Sequence, residues 1–275
     1  MTTARGWLSE LTDYYTPSPT QFDYASSHRY AIEARLNAQL GVHQMFEIGS
    51  LRHGTGVWYH SDADYLVSLK GERPLGPLTT LEKVKTQLQL RFHGTLIVIR
   101  QPAVVCRFSD GDVEVVPGYP SSTGVGYWIA NPAGGWMLTH PKEHNKYVNA
   151  VNSKHNGAVK RLVRQVKVWK YQRNVPVSSC YLEMRTAKHM DGETAYSPLW
   201  DLYLTLKKMR DAELAAMNDP TGLGSRFGAV SSDSNRENAM SKLNRAVKRA
   251  HNAKEFEEAG EHNKSIEQLK LLFNK

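Results

Sequence analysis

The sequence predicts an α+β protein whose front half mixes strands and helices and whose back half is all helical. Three observations carry that reading. Short β-rich runs at 63–69, 95–99, 104–108 and 113–116 alternate with helix-period segments before Pro117. The stretch from Gly118 to Pro141 is rich in Gly, Pro, Ser, Thr and aromatics, and reads as one long connection. Beyond it almost every segment follows a helical period, most clearly Ala158 to Arg173.

Each element has a local cause. Ser18-Pro19-Thr20-Gln21 combines an N-cap serine, a proline at the first helical position and a glutamine three residues after the cap. Phe22, Ala25, Arg29, Ile32, Leu36 and Leu40 continue that helix, and Gly41 stops it. Phe46-Glu47-Ile48-Gly49-Ser50 and a glycine-rich turn lead to the strand from Ala63 to Leu69. Thr79 to Phe92 is helical, with Leu81, Val84 and Leu88 on one face. In the back half Val159, Leu162, Val163, Val166 and Trp169 share a face. Leu199–Met217 and Asn238–Glu258 follow, the latter with Leu243, Val247, Ala250 and Ala253 at packing positions, and residues 231–235 read as a loop.

A length of 275 residues allows one large domain or two packed lobes. Apolar residues at 40% and charged residues at 23% are ordinary for a folded protein and exclude a disordered chain. No apolar run approaches the roughly 20 residues of a membrane span, and MTTARGWLSELTDYY lacks a signal-peptide core. Cys106 and Cys180 lie in apolar segments, which argues for a reducing compartment and against a disulfide framework. The expectation is a cytoplasmic protein without a membrane partner. An excess of 35 Lys and Arg over 27 Asp and Glu gives a formal charge of +8, suited to phosphate-rich partners.

The chemistry concentrates in one block. Gly49-Ser50 is followed, after 11 intervening residues, by Asp62-Ala63-Asp64 at the head of an apolar strand. Residues two apart on a strand leave from the same face, so the two carboxylates repel each other and are costly to bury without a cation. Mg2+ matches this need, since it binds through few carboxylates plus phosphate oxygens. Asp112-Val113-Glu114 supplies a third carboxylate on a neighbouring strand; Glu114 lies deeper in the apolar run, while Asp112 adjoins the Asp110-Gly111 turn. Three carboxylates can hold two metals about 3.5–4 Å apart for phosphoryl transfer. Gly49 would let backbone approach a phosphate, and the Ser50 hydroxyl would face the donor triphosphate.

This combination is the signature of the polymerase-β-like nucleotidyltransferase superfamily, and GSLRHGTGVWYHSDADYLVSL resembles the bacterial cGAS/DncV-like nucleotidyltransferases (CD-NTases). The resemblance continues through VEVVPGYP, HPKEHNKYVNAVN, KRLVRQVKVWK, PVSSCYLE and NDPTGLGSRF, and spans roughly residues 40–275. It implies a polymerase-β-like core, expected over 1–130, packed on a helical lobe over 131–275 with a central cleft, and an N-terminal helix across both lobes. It also implies an enzyme that joins nucleoside triphosphates into cyclic or linear oligonucleotide second messengers in anti-phage (CBASS) signalling. Pyrophosphate would be released, a product-sensing effector would be encoded elsewhere, and a protein activator and Mn2+ in place of Mg2+ are compatible. Nucleic acid is not required. Carried over by position, Asp62, Asp64 and Glu114 would be the catalytic metal ligands, and Gly49 and Ser50 would hold the triphosphate.

Lys160, Arg164 and Lys167 form a basic stripe opposite the apolar face of their helix, readable as a solvated face. The resemblance implies instead that Arg164 or Lys167 reaches donor phosphates, and that Ser179 lies beside the nucleotide. Cys180 stands where relatives often carry a base-stacking aromatic, and Glu114 where aspartate is commoner. Trp136, Trp169 and Trp200 read as core, Tyr127 and Trp128 as better stacking candidates. The histidines, His53, His60, His140 and His144 among them, lack zinc-site spacing with cysteine. The alternative is a nucleotidyltransferase that modifies an RNA end or a protein, with the same catalytic face and a different acceptor.

Overall fold

The computed structural model describes residues 3–18 and 23–275; of the expected helix start, Pro19 to Phe22 lie outside the described residues. The chain opens with α1 (Ala4–Tyr14), then α2 (Asp23–Leu40), β1 (Val42–Ile48), α3 (Gly49–His53), β2 (Ala63–Leu69) and α4 (Pro77–Arg91). Strands β3 (Leu96–Arg100), β4 (Ala103–Phe108), β5 (Gly111–Pro120), β6 (Tyr127–Ala130) and β7 (Trp136–Thr139) follow. Six helices complete the chain: α5 (Pro141–Lys154), α6 (Ala158–Gln172), α7 (Ser179–Asp191), α8 (Pro198–Asp211), α9 (Asp233–Glu258) and α10 (His262–Phe273).

The strands form one mixed sheet in the order β1-β2-β5-β4-β3, with β6 and β7 continuing from β5. β2 and β5 run parallel, and every other pairing is antiparallel. That parallel pair sets Asp64 directly beside Glu114, while Ala63 pairs with Val113 and Tyr65 with Val115. Leu36, Val84, Leu88, Val67 and Val113 belong to the core between the sheet and helices α2 and α4. Leu66, Ala103, Val116 and Ile129 form a smaller cluster on the opposite face. α2 ends where expected, since Gly41 takes a left-handed φ of +72° and its N–H bonds the Asn37 carbonyl.

The helical half has its own larger core. Val159, Leu162, Val163, Val166 and Trp169 of α6 are all buried in it, with Leu243, Val247, Ala250 and Ala253 of α9. The architecture is therefore the expected α+β one, a mixed sheet with helices beside a helical bundle.

Several details differ from expectation, among them the run at 231–235, which holds the N-cap Ser232 and the start of α9. The Gly/Pro/aromatic stretch after 118 holds the β6–β7 hairpin, because its Tyr, Trp and Ile residues pair across to β5 while the glycines sit in the turns. β7 still belongs to the sheet, and Ala4, Leu8 and Leu11 of α1 pack into the helical core. Trp200 is not core; it is 41% exposed, with the Lys254 ammonium over its ring.

Candidate active site

The acidic face is built by β2 and β5. Asp62 sits just before β2 and Asp64 on it, so both carboxylates leave the same side. Burial pushes the Asp64 carboxyl up to about 7, and the charge of Asp62 adds to that rise. Asp62 is also raised, by burial first, with Asp112 contributing repulsion and Arg100 opposing it. Arg100, at the end of β3, places its guanidinium on Glu114 and, at 3.4 Å, on Asp62. A side-chain cation thus spans two of the three carboxylates.

Glycine at 49 has a reason distinct from the one expected. Its φ of +68° is left-handed, and a Cβ there would overlap the Asp64 carboxylate. The close approach it permits is therefore to Asp64. The Ser50 hydroxyl donates to the Ser61 hydroxyl at 3.2 Å, and that oxygen accepts from the Val57 N–H at 2.8 Å. Ser50 thereby fixes the segment that leads directly into Asp62.

The basic stripe of α6 is not a solvated face, and two of its members point elsewhere than expected. Arg164 donates from Nε to the Gly56 carbonyl at 2.7 Å and from Nη2 to the Gly54 carbonyl at 2.9 Å. Lys167, only 2% exposed, donates from Nζ to Glu183 at 2.5 Å and to the Thr55 hydroxyl at 3.0 Å. Glu183 also bonds Thr55 Oγ1 at 2.7 Å and His53 Nδ1 at 2.6 Å. These bonds hold its carboxyl well below the usual range despite burial. Burial forces this arrangement, because an unpaired interior charge would be costly. Arg164 and Lys167 clamp the Gly54–Gly56 turn to the helical half, and their N–H groups are committed there.

One turn further along α6, Lys170 has a different partner. Lys170 donates to Ser179 Oγ at 2.6 Å, and the Tyr171 hydroxyl lies 3.2 Å from the same oxygen. Burial, with repulsion from Lys167 and Arg100, brings the Lys170 ammonium down to about 8. Burial first, and then the charges of Asp62 and Asp64, raise the Tyr171 hydroxyl, so this cluster lies within electrostatic reach of the acidic face. His60 stacks on Tyr171 with centroids 4.4 Å apart, and Trp58 stacks on Tyr59 at 3.9 Å. Ser179, expected beside the nucleotide, is held between Lys170 and Tyr171. Lys170, Tyr171, Arg100 and Glu183 were missed, although Lys170 and Glu183 lie inside the motif strings already singled out. The two stacking candidates have other neighbours: Arg73 lies over Trp128, and Tyr127 packs on Phe46.

The carboxylates fit a hard, oxygen-loving cation. Asp62 and Asp64 share a face, Glu114 adjoins Asp64, and the Asp62 and Asp64 carboxyls are raised by burial first and by acidic neighbours second, a cost that a divalent ion offsets. Among the described residues no group of three acidic, His or Cys side chains is already drawn into a metal-binding cluster, consistent with Glu114 being turned onto Arg100.

Residues 1–152 match the family model described as the Second Messenger Oligonucleotide or Dinucleotide Synthetase domain. The chain belongs to this family. It is a CD-NTase, a nucleotidyltransferase of the cyclic-oligonucleotide-synthase type, and the family uses divalent metal. It is 27% identical over 263 residues to the cyclic AMP-AMP-AMP synthase of an Acinetobacter strain, covering 85% of this chain and 74% of that one. Its fold matches that of CdnC from E. coli MS115-1 with ATP, at TM-score 0.73 and 16% identity, over 95% of this chain and 94% of that one. CdnC in complex with HORMA-deltaN matches at TM-score 0.74, again at 16% identity, over 98% and 96% of the two chains. Among the described residues this CD-NTase has no helix long and apolar enough to cross a membrane.

Proposed function

We propose that this CD-NTase binds nucleoside triphosphates, ATP among them, between the acidic face of β2/β5 and the Lys170–Ser179 cluster, and joins them into a cyclic oligonucleotide. The observation that carries this is the pairing of Asp64 with Glu114 beside Asp62, with the Lys170–Ser179–Tyr171 cluster within reach of the Asp62 and Asp64 charges. The relative that makes cyclic AMP-AMP-AMP favours adenine.

Asp62, Asp64 and Glu114 would hold Mg2+, or Mn2+ in its place, once Arg100 moves off Glu114. When bound, the metal would stabilise charge on the attacking and leaving oxygens. A ribose hydroxyl of one nucleotide attacks the α-phosphorus of another. A P–O bond to the ribose forms, the bond to the β-phosphate oxygen breaks, and the proton and pyrophosphate leave. Lys170 and the Ser179 hydroxyl orient the departing phosphates, and Ser50 keeps the Asp62 segment in place through Ser61. Tyr171 with its His60 stack walls the cleft. The exposed Cys180 cannot stack a base, and Tyr59, which is 71% exposed and stacked on Trp58, would do so instead.

The product would act on a separately encoded effector in anti-phage signalling within the cytoplasm, and the CdnC–HORMA complex favours a protein activator. The test is incubation of pure protein with labelled nucleoside triphosphates and Mg2+ or Mn2+, without nucleic acid, followed by phosphatase. A phosphatase-resistant product that disappears in Asp64→Asn supports the reading. Label found only on added RNA or protein would overturn it in favour of a macromolecular acceptor.

A further inference from the structure

Away from the cleft, α6, α9 and α10 enclose a hollow of about 200 Å³ lined by Trp169, Arg173, Lys242, Arg245, Arg249 and Leu272. Lys242, Arg245 and Arg249 are spaced three and four apart, so α9 presents all three on one face. Arg173, at the C-cap of α6, joins them from the other side. Four cations therefore meet in one depression, and among the described residues none is paired with a carboxylate.

Their existing partners account for part of this. Arg173 donates from Nε to the Leu272 carbonyl at 3.2 Å and from Nη2 to Leu271, and Arg249 donates to Leu271 at 2.5 Å. Two arginines thus satisfy the carbonyl end of α10. Lys242 reaches the Asn174 carbonyl at 2.8 Å. Carbonyls carry only partial charge, so this end of the helix leaves most of the positive charge uncompensated. Arg245 has no hydrogen bond or ion pair at all among the described residues. Elsewhere on the same helix Lys254 finds both Glu255 and Glu258. Mutual repulsion also shows in Arg173, lowered first by burial and then by Arg249 and Arg245.

We infer that this hollow is an anion site for a short polyphosphate chain, separate from the catalytic cleft. Guanidinium groups match phosphate oxygens in pairs, and three of the four cations are arginines. The volume is below the roughly 300 Å³ at which drug-sized ligand pockets begin, so the occupant is a phosphate chain and not a whole nucleotide. Pyrophosphate and the phosphate tail of a nucleoside triphosphate share this chemistry. The floor is Trp169, Ala246 and Leu272, each at most 2% exposed, so bound phosphates would stay at the cationic rim. The site is distinct because Trp169 and Arg173 are four apart on α6 and face α9, whereas Lys170 turns toward Ser179.

The experiment is calorimetric titration with sodium tripolyphosphate in EDTA, which removes metal-dependent binding in the cleft. It is run on wild type, Arg245→Glu, Lys242→Gln and Lys170→Ala. Arg245 is exposed and unpartnered, so its replacement leaves the fold intact, as a melting curve will verify. Binding that survives Lys170→Ala and weakens at least tenfold in Arg245→Glu, with a smaller loss in Lys242→Gln, supports the site. Repeating the titration with pyrophosphate and with ATP then identifies the source of the phosphates. No binding in wild type, or binding indifferent to Arg245→Glu, overturns the inference.

Discussion

Lys167 and Lys170 lie three residues apart on α6 and do opposite work. Lys167 is sealed against Glu183 and Thr55, whereas Lys170 donates to Ser179. Removing one partner of a buried pair costs about 3–5 kcal/mol, so Lys167→Ala should lose that much in urea unfolding. Lys170→Ala should leave stability within roughly 1 kcal/mol and raise KM for nucleoside triphosphates instead. Because the Lys170 ammonium titrates near 8, it loses its charge as pH rises, and nucleotide affinity falls with it. KM should therefore climb between pH 7.5 and 9.5 in wild type and stay flat in Lys170→Ala. A flat wild-type profile would remove Lys170 from the phosphate site. At Gly49 a methyl group meets both a left-handed φ and the Asp64 carboxylate. Gly49→Ala should cost about 1–2 kcal/mol and lower kcat at least tenfold in the labelled-nucleotide assay, by displacing Asp64. The sequence named Gly49, Arg164 and Lys167 as important, but which partner each would meet depends on the Gly54–Gly56 turn docking on α6. No spacing rule encodes that contact.

Among the elements, legibility follows periodicity. β2 runs over Ala63–Leu69 as read, and α6 over nearly its expected span, because both are apolar enough for their period to show. β6 and β7 are four residues each, too short to establish alternation, and their glycine-rich flanks resemble a loop. The helices α5, α7 and α10 were expected only as part of a helical region. The loop between α8 and α9 shows how such a region is stapled. Asp219 accepts from His144 Nε2 of α5 at 2.7 Å and from the Thr221 N–H at 2.8 Å. Those bonds hold the Asp219 carboxyl down to about 2 against the cost of burial. A carboxyl depressed in the folded state stabilises fully above its unfolded value of about 3.9 and loses that contribution as pH falls through the folded one. The shift corresponds to about 2 kcal/mol. Wild type should exceed Asp219→Asn by about that amount in urea unfolding at pH 6, and the gap should close between pH 4 and 2. An unchanged gap at pH 2.5 would mean that the ionised carboxylate contributes nothing.

At the scale of the whole molecule, an acidic site on two central strands, β2 and β5, sits within a chain of net charge +8. The sequence revealed the acidic site because Asp62, Asp64 and Glu114 stand out against apolar strands; Arg100, at the end of a strand remote in sequence, carried no such contrast. Yet Arg100 balances the acidic face in this structure, lying on Glu114 and near Asp62. Its side chain is 59% exposed, so the pair contributes little to folding. Its consequence is competitive. A guanidinium and a divalent cation seek the same oxygens, and the metal must displace Arg100 to gather all three carboxylates. Arg100→Ala should therefore shift the Mg2+ dependence of nucleotide polymerisation to concentrations about threefold to tenfold lower, an effect of about 0.7–1.4 kcal/mol. Unfolding free energy should change by less than about 1 kcal/mol. If half-saturation moves to higher Mg2+ instead, Arg100 assists the loaded site, and its contact with Glu114 marks a position it leaves to meet phosphate.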